Sequence, residues 1–406
     1  CSLLILCHNG LCKTNCSLIC AYGILRETAV EQTETEGTVA TNRNRLFAAI
    51  SVVLGVLLAL GIAEWGLGMY FQRIQSQSME PGFMRYHPQF GWSLSPGWTG
   101  QHSHYDYQAT YHLGLDGFRL QPSVENSTSG DFADVAVLGD SFTFGLGVED
   151  DETFTSVLNR QGTAAFKNYG VPGTSTDQHL LLLNQIVRSD PPDAALLIIY
   201  LPNDILDNTL EYPLQAEQAK PLFTLNGGRL ELGNVPVPRA AKPAMLRSTT
   251  MGSIVLNGID IEQGPLSGTQ IGRMIETVVG SRVYDPAELR PVLARNLEPA
   301  LDLFSALLRE MASVANGSQT RLTIALLPGR DAMVNDAGIS HHYQDYLRQE
   351  ILELAVGLDV DAIDLMTDIA AQPVGEIQSL FYPNDGHLTP QGHRFVAESI
   401  ARHFNP

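Results

Sequence analysis

Apolar and polar residues follow different rhythms in successive stretches of the 406-residue chain. Leu46 to Ala63 carries no charge, and the apolar character continues to Phe71 with Glu64 as the one ionisable interruption. At about 1.5 Å per residue, a helix over 46–66 covers the roughly 30 Å of a bilayer core, so residues 46–71 are predicted to form a transmembrane helix. Residues 72–88 are polar and read as a stalk. From His87 to Leu120 aromatic and polar residues alternate around glycines, which predicts short antiparallel strands in a small β-rich module. Gln121 to Asp131 is rich in Ser, Asn and Gly and reads as a linker, closing a region of 72–131.

Beyond it the period changes. Ala133–Leu138, Ala164–Tyr169, Ala194–Leu201, Arg321–Leu327 and Asp361–Leu365 are predicted strands. Their largely unbroken apolar runs suit strands covered by helices on both faces, and so a parallel sheet. Helices are predicted between and after them, over Glu152–Arg160, Asp177–Arg188, Ala287–Val314, Tyr343–Val356 and Pro390–His403. The last has Thr389 as N-cap and Pro390 at the first helical position. Residues 132–406 therefore form one α/β domain, broken by an insertion at 211–285. This insertion contains a predicted hairpin turning at Asn226-Gly227-Gly228. It follows the C-terminal end of a strand, where α/β sheets border their ligand crevice, and is expected to shape the substrate cleft, the alternative being a surface insertion with no contact to substrate.

Charge narrows the functions available. The chain carries 25 Lys and Arg against 44 Asp and Glu. Residues 1–45 are neutral overall, so the surplus of acid lies after the apolar stretch. A nucleic-acid partner is excluded, because no basic face is available to neutralise phosphates. Arg43 and Arg45 precede the apolar segment, and Trp65 and Tyr70 mark its far end. The basic flank predicts residues 1–45 in the cytoplasm and everything after 71 on the other side, as a single-pass protein. A cleaved signal peptide is the competing reading, with small-residue patterns at Ala59-Leu60-Gly61 and Gly61-Ile62-Ala63. All five cysteines lie between Cys1 and Cys20, so no disulfide staples the large domain, and their spacing fits no zinc pattern. The chain opens on Cys1 and its first Met is Met69, which suggests initiation further in, near Val39. The pairs His102/His104 and His341/His342 lack a third ligand at helical spacing and are expected to be exposed.

Four segments carry candidate chemistry. In Val135–Gly147, VAVLGDSFTFGLG, an apolar strand runs into Gly139-Asp140-Ser141 and then a helix, where backbone N–H groups stabilise an oxyanion. It is not the G-x-S-x-G elbow, which disfavours an α/β-hydrolase. In Asn168–Ser175, NYGVPGTS, Gly173 offers an unhindered N–H. In Tyr200–Asp204, YLPND, Asn203 offers a side-chain donor. In Asn384–His393, NDGHLTPQGH, His387 and Asp385 are a candidate base and orienting carboxylate. His393 is expected to pack or cap within the last helix. The first three segments follow successive strands and therefore meet at one edge of the sheet.

This ordered set resembles the SGNH/GDSL hydrolase family, over about Asp134–Pro406. The resemblance implies a flavodoxin-like three-layer α/β/α fold with a five-stranded parallel sheet. It also implies Ser141 as nucleophile, His387 as base and Asp385 as its partner. The N–H groups of Ser141 and Gly173, with the Asn203 side chain, would form the oxyanion hole. Two positions depart from the family pattern. Pro202 stands before Asn203 where Gly-x-Asn-Asp is usual. Asn384 occupies the place of Asp in Asp-x-x-His, leaving Asp385 in an Asp-x-His spacing similar to that of alginate O-acetyltransferase-like members. The layout as a whole looks like bacterial envelope members, at the cytoplasmic membrane with the large domain in the periplasm. It implies an esterase on acylated carbohydrate or lipid esters, without cofactor or metal and with scope for an envelope assembly partner. The alternatives are an O-acetyltransferase using the same site and a catalytically idle surface scaffold.

Overall fold

A computed structural model of the chain describes residues 16–121, 133–246 and 285–404. Cys1, Cys7, Cys12, residues 122–131 of the linker and the second half of the insertion lie outside the described residues. Two compact units are present, one running to Met69 and the other from Tyr70 onward. The described part of the first is a single helix, α1 (Cys16–Ile74), whose last turn already belongs to the second. Its segment Arg43–Ile74 is long and apolar enough to cross a membrane, with mean hydropathy 2.7. Large apolar side chains project from it without cover, Leu58 and Trp65 being about two-thirds exposed.

The second unit opens with five short strands, β1 (Gln77–Met79), β2 (Met84–His87), β3 (Gly91–Leu94), β4 (Thr99–His104) and β5 (Gln108–His112). They form an antiparallel β1-β4-β5 sheet and a β2-β3 ribbon. The stretch 72–88 is thus not a stalk: the helix continues to Ile74, and β1 and β2 occupy half of the rest. Both are too short and too polar on their outer faces to carry a period-2 signal. Phe83, Trp92, Leu94, Tyr111 and Leu113 of this module pack into one cluster, completed by Phe144 and Val171 from the α/β region.

The α/β region contains β6 (Asp134–Gly139), α2 (Ser141–Phe144), α3 (Phe154–Gln161), β7 (Ala165–Gly170), α4 (Thr176–Ser189), β8 (Ala194–Tyr200) and α5 (Asp204–Asp207). After the described part of the insertion, whose hairpin is β9 (Leu222–Asn226) and β10 (Arg229–Gly233), come α6 (Pro286–Gly317), β11 (Arg321–Leu327), α7 (Arg330–Val334), α8 (Ile339–Gly357) and β12 (Asp361–Asp364). Three helices close it, α9 (Leu365–Ala370), α10 (Val374–Ser379) and α11 (Pro390–His403). The five parallel strands lie in the order β12-β11-β8-β6-β7. This is the doubly wound flavodoxin-like order, whose topological switch falls where β6 lies between β7 and β8. Ala194 to Ile199 are all buried, as an interior strand covered on both faces requires.

The hairpin turns on Gly227-Gly228, both with positive φ (57° and 78°), the backbone a two-residue turn of this kind demands. The described insertion packs on the β-rich module: Tyr86 donates to Val237 O at 2.7 Å, and Val237 N donates to Pro88 O at 2.7 Å.

Candidate active site

Ser141 follows β6, Gly173 follows β7 and Asn203 follows β8, so all three stand at the C-terminal edge of neighbouring strands. Asp140 caps the short helix that Ser141 begins, accepting Phe142 N–H at 2.9 Å. Burial pushes its carboxyl up to about 6, against that hydrogen bond. Glycine is required at 139 because a Cβ there would collide with the Thr143 side chain across the turn. At 170 the same atom would strike the backbone of Phe144.

The loop 382–387 brings the remaining groups. Tyr382 N donates to His387 O at 2.8 Å and Gly386 N donates to Tyr382 O at 3.0 Å, with Gly386 in the left-handed region (φ 86°). His387 Nδ1 lies 2.6 Å from Asp385 Oδ2, and His387 Nε2 lies 2.8 Å from Ser141 Oγ. The carboxylate only accepts, so it fixes the proton on Nδ1 and leaves Nε2 to accept from the serine hydroxyl. Burial alone would raise the Asp385 carboxyl, but the hydrogen bond and charge of His387, with His104 beyond, bring it below its ordinary value. Phe142 packs its ring against His387 at 4.6 Å and against Tyr200 at 4.0 Å, restricting the imidazole.

Gly173 is left-handed (φ 78°), which lets the chain turn between β7 and α4. The preceding Pro172 carbonyl accepts from Trp92 Nε1 at 3.0 Å, so the β-rich module holds this loop. Asn203 heads α5, and its Nδ2 donates to Asp207 Oδ2 at 2.6 Å. Pro202 is accommodated, its carbonyl accepting from Tyr343 at 3.2 Å. Asp207 in turn accepts Leu214 N–H at 2.8 Å. Burial raises its carboxyl, opposed by the Asn203 and Leu214 hydrogen bonds and by the charge of Lys220. Lys220 itself comes from the insertion, is fully buried, and is paired with the equally buried Asp177 on α4.

Several positioning groups carry no local sequence signal. Arg119, wholly buried, donates to Phe144 O at 2.9 Å and to Gly145 O and Val148 O at 2.5 Å, and pairs with Asp150 at 2.8 Å. His102 is buried rather than exposed, bonded to Tyr111 at 2.9 Å, and burial lowers it to about 4. His341 and His342 are half-buried, and His341 bonds to Ala332 O at 2.9 Å. His393 accepts Phe154 N–H at 3.2 Å, so it satisfies the first turn of α3 from across the domain. No group of metal ligands occurs among the described residues. Beside Asp385 lies a cavity of about 210 Å³, lined by Tyr200, Pro202, Arg330, Asp331, Ser340 and Gln344 among others.

No family model matches the chain, and no curated protein matches it. Solved structures similar to it include one described as a G-D-S-L family lipolytic protein from Desulfitobacterium hafniense DCB-2, at 12% identity and TM-score 0.37 over 67% of this chain and 99% of that one. A lipase/acylhydrolase from Enterococcus faecalis is similar at 14% identity and TM-score 0.35, over 67% and 94%. An acetyl xylan esterase, AlAXEase, is similar at 12% identity and TM-score 0.34, over 66% and 98%.

Proposed function

We propose that the chain is a serine esterase of the SGNH/GDSL type, anchored through residues 46–71 with its large domain outside the cytoplasm. The observation that carries this reading is the unbroken relay from Asp385 through His387 to Ser141. Ser141 Oγ attacks the ester carbonyl while His387 Nε2 takes its proton; the C–O bond to the alcohol then breaks, and the alcohol leaves with that proton. Water attacks the acyl-Ser141 carbonyl, gives its proton to His387, and the acid departs as the Ser141 hydroxyl re-forms. The N–H groups of Ser141 and Gly173 and the Asn203 amide hold the tetrahedral oxyanion, the donor pattern this step needs. Asp207 accepts one Asn203 proton and leaves the other for the oxyanion.

Carbohydrate deacetylation is the substrate reading we favour. The cavity beside Asp385 offers Arg330, Asp331, Ser340 and Gln344 to hydroxyl groups, together with the flat faces of Pro202 and Pro383. Arg43 and Arg45 before the apolar segment set the orientation, and the location suits an envelope polysaccharide. The Asp-x-His spacing supports one second reading, transfer of the acyl group to a sugar hydroxyl.

The test is covalent. Full-length protein in detergent is treated with a fluorophosphonate probe and mapped by peptide mass spectrometry, then given p-nitrophenyl acetate with and without an oligosaccharide acceptor. Label on Ser141 with acetate release is the expected result. Acetylated oligosaccharide in its place would favour transfer, and neither label nor turnover would leave the scaffold reading. Within the same scheme, Asn203→Ala should lower kcat by about 10²- to 10³-fold with a smaller change in KM, measured on p-nitrophenyl acetate.

A further inference from the structure

The β4–β5 hairpin of the β-rich module reaches the loop that bears Asp385 and His387. Its tip is closed by His104 N donating to Tyr107 O at 2.9 Å, and Asp106 N donates to His104 Nδ1 at 3.2 Å. The tip is seated by Tyr107, buried against Tyr382 with ring centres 4.9 Å apart. Tyr382 is tied to the nucleophile side, donating to Gly147 O at 2.8 Å. At this tip the Asp106 carboxylate makes three contacts across 278 to 279 residues of sequence. Oδ2 accepts from Asn384 N at 2.7 Å and from Asp385 N at 3.0 Å, and Oδ1 accepts from Asn384 Nδ2 at 2.6 Å.

We infer that Asp106 is a positioning residue that holds Asp385 in register with His387, and that position 384 must be an amide for it to do so. The inference rests on the esterase reading of the site only for its kinetic consequences. Three donors converge on one carboxylate, two from the backbone of the residues that place the Asp385 side chain. Asn384 stands where the family pattern has Asp. An aspartate there would bring a second carboxylate to the position of Nδ2, where both cannot stay ionised. The departure from Asp-x-x-His is thus matched by a carboxylate supplied from another part of the chain. Asp385, one residue later, takes the partnership with His387.

The exchange Asp106→Asn with Asn384→Asp tests this, because it inverts the contact and keeps its geometry. In the exchanged pair the amide oxygen at position 106 would accept the two backbone N–H groups, and the amide nitrogen there would donate to the carboxylate at position 384. Full-length wild type, Asp106→Ala, Asn384→Asp and the double exchange are compared by kcat and KM on p-nitrophenyl acetate and by the fraction of protein labelled with fluorophosphonate. The downfield ¹H resonance of the His387 Nδ1–H, assigned by its absence in His387→Gln, is recorded on each.

Asp106→Ala and Asn384→Asp should each lower kcat by about 10- to 100-fold at unchanged KM, while labelling still goes to completion. Each should shift or broaden the resonance, and the double exchange should recover both readouts to within about threefold of wild type. A merely structural role would lower the labelled fraction and leave the resonance of the remainder in place. Asp106→Ala with kcat within twofold of wild type and an unmoved resonance overturns the inference, as does an Asn384→Asp variant more active than wild type. If wild type hydrolyses no ester, the esterase reading falls, and the resonance alone decides whether Asp106 positions the pair.

Discussion

Ser141→Ala and His387→Ala should each reduce kcat on an activated ester by about 10⁴-fold or more, and the double variant should be no slower than either single one. The expectation follows from the relay: a serine hydroxyl without its 2.8 Å partner Nε2 keeps its proton, and an imidazole without the hydroxyl has nothing to activate. Groups acting as one unit lose their effect together, so the losses must not multiply. Independent contributions, with the double variant falling by the product, would show that the two side chains act in separate steps. The residual rate should reflect the oxyanion donors alone, which these substitutions leave in place. Steady-state kinetics on p-nitrophenyl acetate, normalised to folded protein, measures all of this.

Lys220→Met should cost about 3 to 5 kcal/mol of stability at neutral pH, the effect of leaving one partner of a buried ion pair alone. Lys220 and Asp177 are both fully buried, so water cannot replace the lost ammonium. Burial already raises the Asp177 carboxyl, and Lys220 is the main influence holding it down; without the lysine it must rise further. A carboxyl whose folded pKa lies above its unfolded value binds more protons folded than unfolded. Its favourable contribution is therefore complete below the unfolded value of 3.8 and is lost as pH rises toward the folded value. The deficit of Lys220→Met should accordingly be small near pH 4 and grow toward neutrality, as read from denaturant midpoints across that range. A deficit independent of pH would mean that packing, not charge, is what the lysine supplies. The same substitution should lower activity in the molecules that remain folded, because Lys220 also holds down Asp207, which orients Asn203.

How much of the molecule is legible in its sequence depends on the range of the interactions involved. Arg321–Leu327 matches the observed strand, read from its largely apolar run, and the last helix starts at Pro390 as its Thr-Pro sequence predicts. Ser141 is marked by a short motif at a strand end, and Asp385 and His387 by one in the loop before the last helix, since local backbone demands constrain the residues around them. Asp106, Arg119 and Lys220 carry no such mark. Each acts on residues tens to hundreds of positions away, and an isolated Asp, Arg or Lys in a polar stretch has the same appearance as a solvated one. His102 looks exposed in the sequence for that reason: only the folded sheet places Tyr111 and Gln77 around its ring. The short helices α5 and α7 leave no trace in the pattern because four or five residues are too few to show a helical period.

Arg119 lies close to the end of the first described stretch of the large unit, while the three carbonyls it caps, those of Phe144, Gly145 and Val148, lie beyond the linker. A chain cut between Gln121 and Ala133 would therefore separate halves that cannot stand alone. The downstream piece would keep three carbonyls without their donor and the side chains of Phe144 and Val171 without their cover. The upstream piece would lose the Phe144 ring and the carbonyls that now enclose the Arg119 guanidinium. Grafting the β-rich module onto a different hydrolase, or trading it for another, would meet the same obstacle: the seam between the two runs through a shared interior, and whatever is exchanged has to carry both sides of it.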